Sequence, residues 1–395
     1  MIGQFDFSQK GWVSGKGRAA VWRDIPWGQK QIEPQYLMAE EDYRRGVPEP
    51  DAPKLLHMRI ASGTNERTAV GAFCQGAPSG DTAAALYAPS AEAVMILTCL
   101  LDSFAFDAVT RSRLVGLHFD YHVVEQNPVP RPSLDYGALL RLGTSLTLTS
   151  PSESPGRLLL ATHTGPSLAL TVHERTRRKA IADAVVATLY GLDESDFRGQ
   201  LTDCDHPLST TTSRANARLR GKAFWRVDKG QHPELRHTVL AQVAFADLQR
   251  RIDAEGNRQA GIQSFMDQNH GEGWCLPDTL RLVDYNLGHD DRASAHQPVA
   301  AELGPRFYDW QLAQPPEEAR TETHLHARNL LGEHAYRRLL ADLQQRRHAR
   351  QAETSSQPLS EVAEDRHRFN DWLGEPSEQP DRGAPSDSTQ SDLFD

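Results

Sequence analysis

LLHMRIASGTNERTAVGAFC, residues 55–74, holds two β-prone runs, 55–61 and 67–74, separated by the turn-forming cluster SGTNE. Apolar and β-branched runs broken by Ser, Gly, Thr and Asn read as a hairpin. Immediately downstream the period changes. From Ser90 to Arg113, the residues Val94, Leu97, Leu101, Phe104 and Val109 recur near 3.6 residues, with Ser90 placed to cap the start, and the spacing predicts helix. LVGLHFDYHVV, 114–124, then alternates like a strand and stops at NPVPRP, whose prolines withdraw ladder donors. Hairpin, helix and strand together predict a mixed α+β domain over about 1–150.

Outward from this unit the signals are simpler. Residues 1–54 are rich in Gly, Pro and aromatics without a sustained period, and predict irregular loop with short strand. The leucines of Tyr136–Thr149 suit either a helix or a strand, and SPSESPG, 150–156, reads as a linker. Glu174–Leu192 is predicted helical, with Ile181, Val185, Val186 and Leu189 on one side and Gly191 near the stop. Pro233–Ala254 and Pro316–Gln351 are predicted helical too, so 170–350 becomes a mostly helical C-terminal region. Residues 351–395 hold eleven acids against three arginines among Ser, Gln and Pro, which predicts a disordered acidic tail. The tail ends in Asp392-Leu-Phe-Asp, a candidate docking peptide.

With 395 residues the chain exceeds the roughly 100–200 of one ordinary domain. Its longest apolar stretch, Ala93–Leu101, is interrupted by Thr98 and falls far below the ~18–20 residues of a membrane span. The N-terminus shows no basic start before an apolar core, so no secretory signal is expected. Cys74, Cys99, Cys204 and Cys275 have neither C-x-x-C spacing nor the density of a disulfide scaffold. A cytoplasmic protein without a membrane partner is the expectation. The net charge is −10, but the tail carries most of it, and a near-neutral body can still present a local basic face.

Catalytic motifs are scarce. The sequence has no phosphate-binding G-x-x-x-x-G-K-[ST], no G-x-G-x-x-G, no H-E-x-x-H and no G-x-S-x-G. No acid stands two residues before a lysine, as a metal-dependent nuclease of the PD-(D/E)xK type requires. Asp203-Cys204-Asp205-His206 offers four donors, yet neighbours in one loop rarely converge on a metal, and none is predicted. Three polar features remain. Arg214, Arg218, Arg220, Lys222, Arg226 and Lys229 surround Phe224 and Trp225, either as a phosphate-binding surface or as a solvated face paired with the acidic tail. Arg175-Thr-Arg177-Arg178-Lys179 is expected to be a solvated helix face. In the 62–68 loop, Thr64, Asn65, Arg67 and Thr68 are side chains able to contact base edges; the alternative is a turn in which Arg67 and Glu66 pair inside.

Two stretches carry a family resemblance: RIASGTNERTAVGAF, 59–73, and LLDSFAFDAVTRSRLVGLHFDYHVVEQNPVPRP, 100–132. Together they resemble the target-recognition region of large adenine-specific DNA methyltransferases. That group includes type IIG restriction–modification enzymes and the methylases of phage-defence islands. In it, a similar T-N-E-R-T strand–loop–strand and an N-S-x-x-x-D-x-x-x-R helix–strand unit follow the catalytic domain. Asp102 stands here where the family usually has Asn. ADAVVATLYGLDESDF, 182–197, is similar to the helix and turn that come next, so the resemblance covers about residues 10–200. GEGWCLPDTLRLVDYNLGHDD, 271–291, and LGPRFYDWQLAQ, 303–314, look like the far C-terminal part of very long proteins of this type.

The family's methyl-transfer tetrapeptide is of the N-P-P-Y kind. Asn127-Pro128-Val129-Pro130 lacks its aromatic residue, and the glycine-rich cofactor loop is missing as well. The resemblance thus implies a non-catalytic DNA-recognition component acting on double-stranded DNA with a separate methyltransferase subunit, which would bind the S-adenosylmethionine. It implies Asn65 and Arg67 near base edges, and Arg111, Arg113, Arg214, Arg218, Arg220 and Lys222 near phosphates. The alternatives are a scaffold subunit of a defence complex, using the 233–350 helices, and a truncated methylase fragment.

Overall fold

In the computed structural model, which describes residues 1–47, 49–130, 136–160 and 168–356, the N-terminal third holds the main sheets. Strands β1 (Lys10–Ser14) and β2 (Val21–Asp24) pair antiparallel by themselves. β3 (Pro53–Met58) lies between β4 (Gly71–Gln75) and β5 (Ala83–Tyr87), antiparallel to both, with Leu56 facing Ala72 on one side and Ala85 on the other. The expected hairpin is therefore present. Lys54, Leu55, Leu56 and His57 are all buried, so β3 is covered on both faces. Lys54 is accommodated because its ammonium donates to the Ala77 carbonyl and to Tyr43 Oη, the latter at 3.1 Å.

The predicted 90–113 helix is two helices, α1 (Ala91–Leu101) and α2 (Phe104–Arg113), bent by 68°. Ser90 caps the first as expected, accepting from the Ala93 N–H at 3.2 Å. The break has a long-range cause: Asp102 spends its carboxylate on the N–H groups of Phe5 and Gly71, each at 2.8 Å. Ser103 then caps α2, accepting from the Phe106 N–H at 3.2 Å. Burial pushes the Asp102 carboxyl up to about 8.

Two other expectations are corrected, and one left open between helix and strand is resolved. Residues 114–124 do not form a strand: one bridge joins His118 to Ile60, and Tyr121–Glu125 is a helical turn. Gly116, at φ +94°, turns the chain where the alternation suggests extension. Residues 150–156 are not a linker but start a buried helix. Ser150 and Glu153 form a capping box at the entry to Ser154–Leu160, with Ser154, Leu158 and Leu160 buried. Tyr136–Thr147 is a helix, α3, packed against α1.

α4 (Val172–Leu189) is the central element, with α5 (His237–Glu255) packed along it and α6 (Arg258–Gly271) against α5. The expectation of a solvated face on α4 also gives way, because Arg175, Arg177 and Arg178 are buried. Glu174, itself without exposure, receives Arg177 Nε at 2.8 Å, Arg178 Nε at 2.8 Å and Arg306 Nε at 2.9 Å. Burial alone would raise its carboxyl. The Arg177 hydrogen bonds and the three guanidinium charges outweigh burial and lower it to about 2. Arg175 donates to the Leu146 and Ala169 carbonyls, and its guanidinium stacks on the Trp27 ring.

α7 (Pro316–Ser356) breaks at Gly332, and His324 Nδ1 lies 3.0 Å from Tyr336 Oη, so its two arms fold back on each other. No single helix among the described residues is long and apolar enough to cross a membrane. Past Ser356, the acidic tail and its terminal Asp392-Leu-Phe-Asp lie outside the described residues, as does the end of the Pro-x-Pro exit within 131–135. The class is α+β, with small antiparallel sheets N-terminal and a mostly helical remainder.

Candidate nucleic-acid interface

The 59–70 connection between β3 and β4 is shaped by its own hydroxyls. Thr68 Oγ1 donates to the Ser62 carbonyl at 2.9 Å, and the Asn65 N–H donates to the same carbonyl at 3.0 Å. Beneath the loop lies Asp107 of α2, whose carboxylate accepts Arg67 Nε at 2.9 Å, the Thr68 N–H at 3.0 Å and Arg111 Nε at 3.1 Å. Two positive charges and a backbone donor thus converge on one fully buried carboxylate. α2 is held in turn by Asp183 of α4, which accepts the Phe104 N–H at 2.7 Å and lies 2.8 Å from His237 Nε2 of α5.

Arg111 joins the loop to a segment far away in sequence. One of its terminal nitrogens donates to the carbonyls of Lys222 and Ala223 at 3.1 and 3.0 Å; the other donates to those of Asn65 and Glu66 at 2.9 and 2.7 Å. Its guanidinium lies 3.7 Å above the Phe224 ring. The connection is reciprocated, since Lys222 Nζ donates to the Arg111 carbonyl at 3.0 Å and Arg226 donates to the Thr64 carbonyl. The SGTNE loop and the 214–229 basic segment therefore share one surface.

The site residues divide by burial. Thr64 and Asn65 are exposed at the loop tip, and Arg113, Arg214, Arg218, Arg220 and Lys222 are exposed as well. Arg67, Thr68 and Arg111 are not: the side chains of Arg67 and Arg111 retain 7% and 3% of their surface, and Thr68 none. The expectation that Arg67 reads a base edge, or that Arg111 meets a phosphate, is corrected accordingly. Arg67 donates to Asp107 and to the Asp102 carbonyl, and Arg111 to Asp107 and to four backbone carbonyls, so both shape the loop from beneath. Arg67 does pair internally, with Asp107 and not with the neighbouring Glu66.

The surface also contains features that the sequence does not announce. Glu66, beside the exposed Asn65, is held above the usual carboxylate range by desolvation and by Asp228, with Lys229 pulling the other way. Asp228 adopts a left-handed backbone (φ +50°) and accepts the His237 N–H at 2.9 Å, which places it at the start of α5. Between the buried Leu114 and Phe119, Val115 and Leu117 stand 94% and 59% exposed. The strand-like alternation of 114–124 hides that turn; Gly116 at its centre is the signal that could have found it.

Elsewhere, His206 and His289 stack with ring centres 3.9 Å apart, and Asp203 and Asp205 each hold one of them. Among the described residues no group of three or more His, Cys, Asp or Glu side chains is arranged to hold a metal. No protein-family model, curated protein or solved structure matches the chain.

Proposed function

We propose that this chain is a DNA-recognition component that binds duplex DNA through the joined SGTNE loop and 214–229 surface, and acts with an adenine-N6 methyltransferase subunit of a restriction or phage-defence system. The methyltransferase partner, and the S-adenosylmethionine it would hold, rest on the family resemblance. Duplex binding rests on one observation: Arg111, Lys222 and Arg226 join a polar loop tip to a segment about 150 positions away in sequence whose Arg214, Arg218 and Arg220 are exposed. In this role Thr64 and Asn65 face base edges, while Arg113, Arg214, Arg218, Arg220 and Lys222 face phosphates.

The test is fluorescence anisotropy with labelled mixed-sequence duplex across a salt series. Arg218→Ala and Lys222→Ala should each weaken all sequences alike and reduce the salt slope by about 0.9 for each phosphate no longer neutralised. A slope indifferent to both substitutions would remove the phosphate-binding role. A scaffold role is favoured by a different observation, the exposed Leu325, Leu330 and Leu331 on α7. Wild-type chain with no measurable duplex affinity, but stable co-elution with the methyltransferase, would favour that role.

A further inference from the structure

We infer that the turn Leu114–His118 is an apolar wedge that inserts between base pairs of the bound duplex, with Leu117 as the inserted side chain and Val115 beside it. The inference rests on the duplex-binding role proposed above and goes beyond it, because it assigns a distortion of the DNA to residues outside the 62–68 loop.

Val115 and Leu117 are exposed, 94% and 59%, although Leu114 and Phe119 on either side of them are buried. The turn is also fixed in place. The Leu114 N–H donates to the Thr110 carbonyl at 2.8 Å, closing α2. The Ala61 N–H donates to the Leu117 carbonyl at 3.0 Å, and the Phe119 N–H to the Arg59 carbonyl at 2.7 Å, which pins the other side to the extension of β3. Gly116, at φ +94°, supplies the reversal that a side chain would resist. A pinned apolar tip loses little conformational entropy when it enters an apolar site.

Charge selects the occupant. Exposed Arg113 precedes the tip and exposed His118 follows it. Lys222 reaches the carbonyl of Arg111, four residues before Val115, and Arg226 reaches that of Thr64. The nearby Asp120 is paired with Arg59. An apolar tip with a cationic collar of Arg113 and Lys222 fits stacked bases between two phosphate strands, where proteins insert Leu, Ile or Phe and partly unstack a step. A protein partner would be expected to cover the tip with apolar surface and to have no need of the collar.

The experiment uses the full chain on a long mixed-sequence duplex and measures binding and base unstacking separately. Anisotropy reports binding; permanganate reactivity reports thymines that have left the stack. The double variant Val115→Ser/Leu117→Ser alters exposed side chains only, and its thermal melting should match wild type. Expected is permanganate hyperreactivity with wild type that disappears with the double variant at saturating protein, with affinity about three- to tenfold weaker. Arg218→Ala should behave oppositely: weaker binding, but full hyperreactivity once saturated. A duplex carrying a mismatched step, already unstacked, should bind wild type more tightly than the matched one, and the double variant should lose that preference. Wild type that binds without hyperreactive thymines, or a double variant that binds and unstacks like wild type, overturns the wedge and leaves duplex binding intact. Absence of any duplex binding by wild type overturns both.

Discussion

Asp107 determines what shape the 62–68 loop can take. It is fully buried, and it is the common acceptor of Arg67, Arg111 and the Thr68 N–H. Asp107→Asn would leave two buried guanidinium groups facing a neutral amide, and losing one partner of a buried pair costs about 3–5 kcal/mol. Urea unfolding at neutral pH should show that loss; a variant within about 1 kcal/mol of wild type, the worth of an exposed pair, would mean the network is solvated. Half of this arrangement is legible in the sequence. Asp107 and Arg111 lie one helical turn apart, a spacing that puts them on one face. Arg67 is legible only as a polar loop residue, because its partner lies 40 positions away and no local pattern encodes that distance. His57 is a second buried titratable group, near the end of β3 with the Phe119 and Tyr121 rings packed edge-on against it. Burial pushes its pKa down to about 4 from an ordinary 6.5. The unfolded chain therefore takes up a proton before the folded one does. Its contribution to stability is complete above about pH 6.5 and declines as pH falls toward 4, by about 3 kcal/mol in total. His57→Phe should flatten the melting temperature over that interval; an unchanged acid slope would place the sensitivity elsewhere.

At the scale of elements, local periodicity locates helices well and their interruptions poorly. α1 and α2 share one continuous 3.6-residue pattern, yet Asp102 and Ser103 divide them. Ser103 is recognisable as a capping residue in the sequence. What makes it the start of a helix is Asp102 turning to Phe5 and Gly71, and that is a tertiary fact. Ser103→Ala should cost about 1 kcal/mol by removing the cap and leave α1 intact. Hydrogen exchange should show faster exchange confined to the first turn of α2, and uniform exchange through both helices would mean the cap is dispensable. The α4 arginines illustrate the opposite error. Five polar residues in a row look solvated, but Glu174 one position upstream accepts Arg177 and Arg178, and the Leu146 and Ala169 carbonyls accept Arg175. Charge runs do not reveal which of their members have an interior partner.

Over the whole molecule, charge is distributed unevenly enough for one part to affect another. The ten acids and three arginines beyond Ser356 leave with a chain ended there, while the exposed 214–229 arginines stay. Removing residues 357–395 should therefore raise affinity for mixed-sequence duplex, most at low salt, because the effect acts through long-range repulsion. Equal affinity of the full and shortened chains from low to high salt would show that the tail's charge does not reach the surface. Composition alone makes the tail and the basic segment legible, but not that the basic segment lies beside the SGTNE loop.

That adjacency bears on the order of events during synthesis. The carbonyls of Lys222 and Ala223 that receive Arg111 are made more than a hundred residues after Arg111 itself. A nascent chain can pair β3 with β4 early, as ribosomal synthesis proceeds N-terminus first. The loop between them acquires its final support only when residue 223 has left the exit tunnel. Polypeptides interrupted before that point would carry the TNERT motif without the surface that gives it a shape, so emergence of residue 223 acts as a checkpoint on when the loop takes its final form.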